Sequence, residues 1–379
     1  MDNQMNNDTY AEDAWFRIKN PDEVYSPALL IFPDRVESNI IKMIEIAGDP
    51  SRLRPHVKTH KIPEIVRLQM KYGISKFKCA TIAEAEMTAE CGAEDILLAY
   101  QPVGPNIERF FRLRKRYPGI KISCLADCEN IIRELSENAV KNNSEAFVWL
   151  DINIGMNRTG VVPGEVALKL YNLIAELPMI NPEGLHAYDG HIHETDYSLR
   201  EKICNDAFLP VQELIYDLEK SGHKGIKVVA GGTPTFPIHS LRKAVETSPG
   251  TTLLWDYGYS SSFVDMDFLH SAVLLTRIVS KPSADLICID LGHKAVASEM
   301  PPPRIIIRGI DNYEFISHNE EHMVFRTYLA HKMNAGDILY CIPYHICPTV
   351  DRFDKVSVVR EGKVTEQWNV VARKREITV

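Results

Sequence analysis

The chain has 379 residues, a formal net charge of −8, 45% apolar and 25% charged residues. That is more sequence than one ordinary core organises, so two domains are expected, or one large barrel with an added part. The acidic balance excludes a phosphate-neutralising nucleic-acid surface, and no run reaches the roughly 18 apolar residues of a membrane span.

The polar start, MDNQMNNDTY, is unlike a signal peptide, and the 8 cysteines lie without paired spacing. Both features predict a cytoplasmic chain with reduced thiols. From there, short apolar runs alternate with amphipathic ones up to Ser240. The predicted strands are ALLIF (28–32), RLRPHV (52–57), KFKCA (76–80), ILLAY (96–100), KISCLA (121–126), AFVWLDI (146–152), EGLHAY (183–188) and IKVVA (226–230). Helical patterns lie between them, for example over 35–47, 81–92 and 166–177, with Gly92 as a stop. Strand and helix alternating about eight times predict a closed (β/α)8 TIM-type barrel over 25–250. A doubly wound open sheet fits less well, because no GxGxxG turn follows the first strand.

Beyond residue 250 the strand-like runs SAVLLTRIVS (271–280), DLICIDLG (285–292), RIIIRG (304–309), DILYCIPY (337–344), KVSVVREG (355–362) and VTEQWNVVAR (364–373) follow one another without clear helices. They predict a mostly β C-terminal domain over 251–379, joined in space by residues 1–24.

In a barrel of this type the chemistry sits at the C-terminal ends of the strands. The stretch RLRPHVKTHK (52–61) sets Arg54, His56 and Lys58 on one parity, the period of a strand face. A lysine facing inward becomes a nucleophile towards aldehydes when burial and nearby cations such as Arg54 lower its pKa. The loop Gly231-Gly232-Thr233-Pro234-Thr235 follows the last predicted barrel strand. It reads either as a plain turn or as a phosphate cradle of backbone N–H groups and hydroxyls. An inward lysine with a phosphate cradle points to pyridoxal 5'-phosphate (PLP).

Two stretches read as metal sites. PYHICPT (343–349) places His345 and Cys347 two apart, so that an extended segment aims both the same way, as a Zn²⁺ pair or as a histidine beside a buried cysteine. GHIHETD (190–196) offers His191 and His193, the basis of a rival reading as a metal-dependent barrel hydrolase, with His186, Asp189 and Asp196 as further ligands. That rival leaves Lys58 and the glycine loop without a role.

Taken together, these segments resemble the D-threonine aldolase and D-serine dehydratase family of fold-type III PLP enzymes, over nearly the whole chain. RPHVKTHK resembles the family's PLP-lysine motif and implies Lys58 as the residue that binds the cofactor's aldehyde. DINIGMNRTGV resembles a segment shared with alanine racemases and implies Arg158 beside the phenolic oxygen. GLHAYDGH implies Tyr188 near the cofactor, GGTPT implies phosphate contacts from Gly231, Gly232, Thr233 and Thr235, and HICPT implies His345 and Cys347 as ligands of Zn, Mn or Mg. The resemblance also implies a homodimer acting on a small D-amino acid.

One departure bears on the reaction. Alanine racemases carry an arginine near the pyridine nitrogen, where this chain has Thr247-Ser248-Pro249-Gly250. Racemisation is therefore not expected, and a metal pair fits a β-hydroxy substrate. Two outcomes stay open: retro-aldol cleavage to glycine and an aldehyde, with His193 as a candidate base, or elimination to a keto acid and ammonia. GLHAYDGH and GGTPTF favour the aldolase branch; the His-x-Cys pair favours the dehydratases.

Overall fold

The computed structural model describes residues 14–379. Strand β1 (Ala28–Ile31) and helix α1 (Pro33–Ala47) are followed by α2 (Pro63–Lys71) and then by a regular alternation: β2 (Lys76–Cys79), α3 (Ile82–Glu90), β3 (Asp95–Leu98), α4 (Pro105–Arg116), β4 (Lys121–Ala126), α5 (Glu129–Asn142), β5 (Ala146–Ile152), α6 (Glu165–Glu176), β6 (Ile180–Ala187), α7 (Tyr197–Lys220), β7 (Lys227–Ala230), α8 (Phe236–Ser240) and β8 (Val245–Thr247). The chain divides into two compact units.

In the first unit, Ile40–Thr252 with Val371–Val379, strands β2 to β8 form a parallel sheet in chain order. Leu53–His56 closes it. On one side the Arg54 N–H donates to Thr247 O (2.8 Å); on the other, the Lys78 N–H of β2 donates to Pro55 O (2.9 Å). The bridges Leu53–Thr247 and His56–Lys78 are both parallel.

The strand expected over 52–57 is thus reduced to a bridging piece. Pro55 has no N–H to give a ladder, and 3-10 turns at Pro50–Arg52 and Val57–Thr59 flank it. Seven strands and this segment make the expected barrel. Leu97, Leu125, Trp149 and Val229 meet from four different strands, which a ring allows and one face of a flat sheet would not. The C-terminal residues stay with this unit: Arg109 donates to Val379 O (2.8 Å), and the Thr378 N–H donates to Glu86 (3.1 Å).

The second unit takes the chain up to Asn39 and Leu253–Val370. It holds α9 (Tyr257–Ser262), β9 (Ala272–Ser280), β10 (Leu286–Ile289), β11 (Ile305–Ile307), β12 (Glu314–His318), β13 (Met323–Arg326), β14 (Ile338–Pro343), α10 (Ile346–Val350), β15 (Lys355–Arg360) and β16 (Lys363–Asn369). Their sheet runs β12-β13-β10-β9-β1-β15-β16, and β14 pairs with β9 and β11.

ALLIF, expected to open the barrel, supplies β1 to this sheet instead, antiparallel to β9 and parallel to β15. All four residues of β1 are buried, so its apolar run carries no mark of which sheet it joins. Phe16, Ile18 and Val24 pack with Leu30, Val273 and Ile342. Of the N-terminal segment expected beside this unit, residues 1–13 lie outside the described residues. No helix among the described residues is long and apolar enough to cross a membrane.

Candidate active site

Arg54, His56 and Lys58 enter the barrel unit at three heights. Arg54 is fully buried and paired. It donates twice to Asp95 (2.8 and 3.0 Å) and once to Glu246 (2.8 Å). Lys76 adds a second cation to Glu246. Burial opposes the Arg54 charge, but the two carboxylates raise its pKa above the ordinary value. The expectation that Arg54 supplies positive charge to Lys58 is therefore corrected: its charge is neutralised at the start of β3 and within β8.

His56 caps the next turn, its Nδ1 accepting from the Lys58 N–H (3.3 Å). Burial first, then the Lys58 charge, holds His56 neutral. Lys58 sits in that turn, half-buried. Its Nζ lies 5.9 Å from the Tyr188 ring centroid, Lys78 Nζ lies at 5.5 Å and Arg158 Cζ at 5.0 Å. Three basic side chains from the closing segment, β2 and the loop after β5 thus surround the ring that follows β6.

Beside them Asp151 and His186 pair across β5 and β6, with Oδ1 to Nδ1 at 2.7 Å. His186 Nε2 is buried without a partner. Burial lowers the His186 pKa and Asp151 partly offsets it.

The glycine loop follows β7. Gly231 has φ +82°, a left-handed conformation that glycine adopts without penalty. A Cβ on Gly232 would come within 3.1 Å of the Tyr188 ring. The loop hangs from one carboxylate: Asp189 accepts from the Gly232 N–H (3.1 Å), Thr235 Oγ1 (2.8 Å) and His239 Nε2 (2.8 Å). Thr233 Oγ1 in turn accepts from the N–H groups of Gly250 and Thr251 (both 3.2 Å), after β8. Two backbone donors of the loop after β8 converge on this hydroxyl of the glycine loop. The side-chain oxygens of Thr247 and Ser248 are buried without partners. An amine, an aromatic ring, a glycine cradle and spare hydroxyls fit PLP, and the stretch set against the racemases' arginine, Thr247-Ser248-Pro249-Gly250, is neutral.

Asp189, Cys204 and His239 bring ligand atoms within 4.8 Å of one another, the one such group of three among the described residues. Arg242 donates to His239 Nδ1 (3.1 Å). Because arginine only donates, the imidazole proton sits on Nε2 and points to Asp189. The group is a hydrogen-bonded anchor for the glycine loop, and an ion would have to break it.

In the other unit, His345 caps α10 and Cys347 lies in its first turn, not in an extended segment as expected. The Asp256 carboxylate accepts from the Ile346 N–H (2.9 Å) and fixes that turn. His345 Nδ1 meets Glu299 Oε1 at 2.5 Å. Burial opposes the imidazolium, but hydrogen bonding to Cys347 and Glu299 raises its pKa to about 9. Imidazole, thiol and carboxylate are a donor set that suits a divalent metal.

His191 and His193 are both exposed beyond β6. Neither joins a group of three ligands, so the hydrolase reading is not favoured.

Sequence reading missed Lys78, His239 and Glu299, and it cited His186 and Asp189 only as metal ligands of the rival reading. The parity of Lys76 and Lys78 in KFKCA repeats that of Arg54 and Lys58, and it was the available signal for Lys78.

Comparison with known proteins agrees with this architecture. Residues 31–258 match the alanine racemase N-terminal domain, and residues 271–359 match a serine dehydratase domain. The chain is 29% identical over 356 residues to a D-threonine aldolase of Arthrobacter sp, covering 92% of this chain and 93% of that one. It is 31% identical over 373 residues to a D-threo-3-hydroxyaspartate dehydratase of Delftia sp., covering 90% and 96%. A crystal structure of D-threonine aldolase from Filomicrobium marinum superposes with a TM-score of 0.87 at 27% identity, covering 95% of this chain and 98% of that one. The parallel barrel closed by the Lys58 segment, the β unit after it and these full-length matches place the chain in the alanine racemase N-terminal domain family, among the fold-type III PLP enzymes that include the D-threonine aldolases and D-serine dehydratases.

Proposed function

We propose that the chain is a PLP- and divalent-metal-dependent lyase that splits D-β-hydroxy amino acids between Cα and Cβ, giving glycine and an aldehyde. The observation that carries this reading is the meeting of Lys58, Tyr188, Arg158 and the glycine cradle at one barrel mouth, in a chain that aligns over nearly its full length with a D-threonine aldolase.

Lys58 would hold the aldehyde of PLP, and Gly231, Gly232, Thr233 and Thr235 its phosphate. Arg158 and Tyr188 would flank the ring, and Ser248 would offer a neutral hydroxyl. His345 and Cys347 would hold the metal, with Glu299 beside them. When bound, PLP supplies an electron sink for charge at Cα and the metal supplies a Lewis acid for the β-oxygen. His193, exposed and ionisable, is the candidate acceptor for the β-hydroxyl proton. Lys58 would also be the base placed to take the Cα proton. The branch point is then whether the hydroxyl proton or the Cα proton leaves first. The working unit in this reading is a cytoplasmic homodimer.

The test is incubation of the PLP-loaded chain with D-threonine and D-serine, with and without EDTA. Glycine and acetaldehyde from D-threonine, lost with EDTA, are the expected products. An α-keto acid with ammonia assigns the dehydratase reaction instead. Neither product from either substrate overturns the lyase reading. Metal content measured on Cys347→Ala checks the ligand assignment separately.

A further inference from the structure

Lys78 is a side chain of the barrel interior that this function does not use. It lies on β2 in register with Leu97 of β3, and its backbone bridges to His56 of the closing segment. Its side chain is 2% exposed. A buried lysine is normally paired with a carboxylate, because an isolated charge in a low-dielectric interior is costly. Lys61 and Lys76 obey that rule, on Glu84 and Glu246. Among the described residues Lys78 makes no side-chain hydrogen bond or ion pair; it faces the Tyr188 ring at 5.5 Å, the ring that Lys58 also approaches.

The groups around it account for this. Lys58, His56 and Arg54 face it from the closing segment, Asp151 from β5, and His186 and Asp189 from β6 and the loop after it. Asp151 is engaged by His186, Asp189 by His239, and Arg54 by Asp95 and Glu246. Leu97, its partner on β3, brings no charge. No carboxylate is left for Lys78.

We propose that Lys78 is a positioning residue that acts through Lys58: an uncharged amine that accepts a proton from the neighbouring Lys58 ammonium. The proton transfer balances simply. One N–H bond of Lys58 breaks, one forms on Lys78, and Lys58 is left with the lone pair it needs to bond an aldehyde or to act as a base. Burial first, and the Lys58 charge second, bring the Lys78 pKa down to about 7, where an amine is matched to proton transfer at neutral pH. The proposal rests on Lys58 being the cofactor lysine.

Two measurements test it. In the first, PLP is stripped from the full chain, and its re-attachment is followed by visible absorbance as a function of pH, in wild type, Lys78→Met and Lys78→Arg. Wild type should lose attachment rate as pH falls through about 7. Lys78→Met should attach PLP roughly 10²-fold more slowly at neutral pH and lack that inflection. Lys78→Arg puts a fixed positive charge there and no base, and should be equally slow.

The second measurement needs no variant. Competitive acetylation of the native full chain across pH, read for each lysine by mass spectrometry, should give Lys78 a midpoint near neutrality, well below the surface lysines. Lys78 titrating with the surface lysines overturns the proposal, even if both variants fail to fold. Wild-type attachment rates in Lys78→Met overturn it as well. If Lys58→Ala keeps the visible band, the cofactor-lysine reading has failed; if only the Lys78 results fail, that reading stands.

Discussion

The floor and the mouth of the barrel unit are built from the same alternating face, yet they treat charge in opposite ways. On the floor, Arg54 and Lys76 meet Asp95 and Glu246. At the mouth, Lys58 and Lys78 approach the Tyr188 ring with no carboxylate of their own among the described residues. Two residues of extended chain advance about 7 Å, so Arg54 and Lys58 are separated by little more than two layers of side chains. Within that span the barrel passes from basic side chains paired with carboxylates to basic side chains without them. A folded chain can leave buried or half-buried cations unpaired where a ligand brings the negative charge. The floor spends its charges on stability; in the proposed reading the mouth keeps its basic groups for an anionic cofactor.

Breaking the mouth should give the largest effect. Lys58→Ala is expected to abolish the visible absorbance of bound PLP and to reduce turnover by about 10⁴-fold, the upper range for losing a positioned base. Its unfolding midpoint without PLP should stay near wild type. A cofactor spectrum unchanged in Lys58→Ala would remove the distinction between the two layers.

Breaking the floor should do the reverse. Arg54→Met leaves Asp95 without its bidentate partner and should cost about 3–5 kcal/mol in urea unfolding. The fraction that remains folded should still bind PLP. If the variant is as stable as wild type but binds PLP poorly, Arg54 serves the site after all.

The smallest effect sharpens the same contrast through pH. Burial works against the Asp95 carboxylate, but Arg54 holds its pKa below the ordinary 3.8. Asp189 is held low too, against its own burial, by His239 and Thr235. A folded pKa below the unfolded one means the unfolded chain binds more protons. This stability is therefore complete above the ordinary carboxylate value and is lost as pH falls through it towards the depressed folded values. Urea midpoints of the PLP-free chain should fall below about pH 4, and Arg54→Met should show a shallower fall because the Asp95 contribution is already gone.

Much of this was legible in the chain order. KISCLA and AFVWLDI form strands at the bounds read from their apolar runs, because a buried parallel strand needs little more than such a run. GGTPT could be read as a cradle because its glycines act locally, through backbone conformation. The strands β12 and β13 were not read: EFISH and MVFR are short, with mixed polar and apolar residues, and pair mainly with each other and β10.

The sequence by itself determined the alternation of strand and helix, the lysine-bearing segment and the polar rim, because periodicity and turn chemistry are properties of neighbouring residues. Only the tertiary structure decided which of three alternating side chains is spent on the fold. Arg54 finds its partners 41 and 192 residues away, at Asp95 and Glu246. Asp189 reaches forward 43 to 50 residues to hold the glycine loop. Ring closure brings those groups together, and among the described residues it leaves Lys58 and Lys78 with no carboxylate to pair.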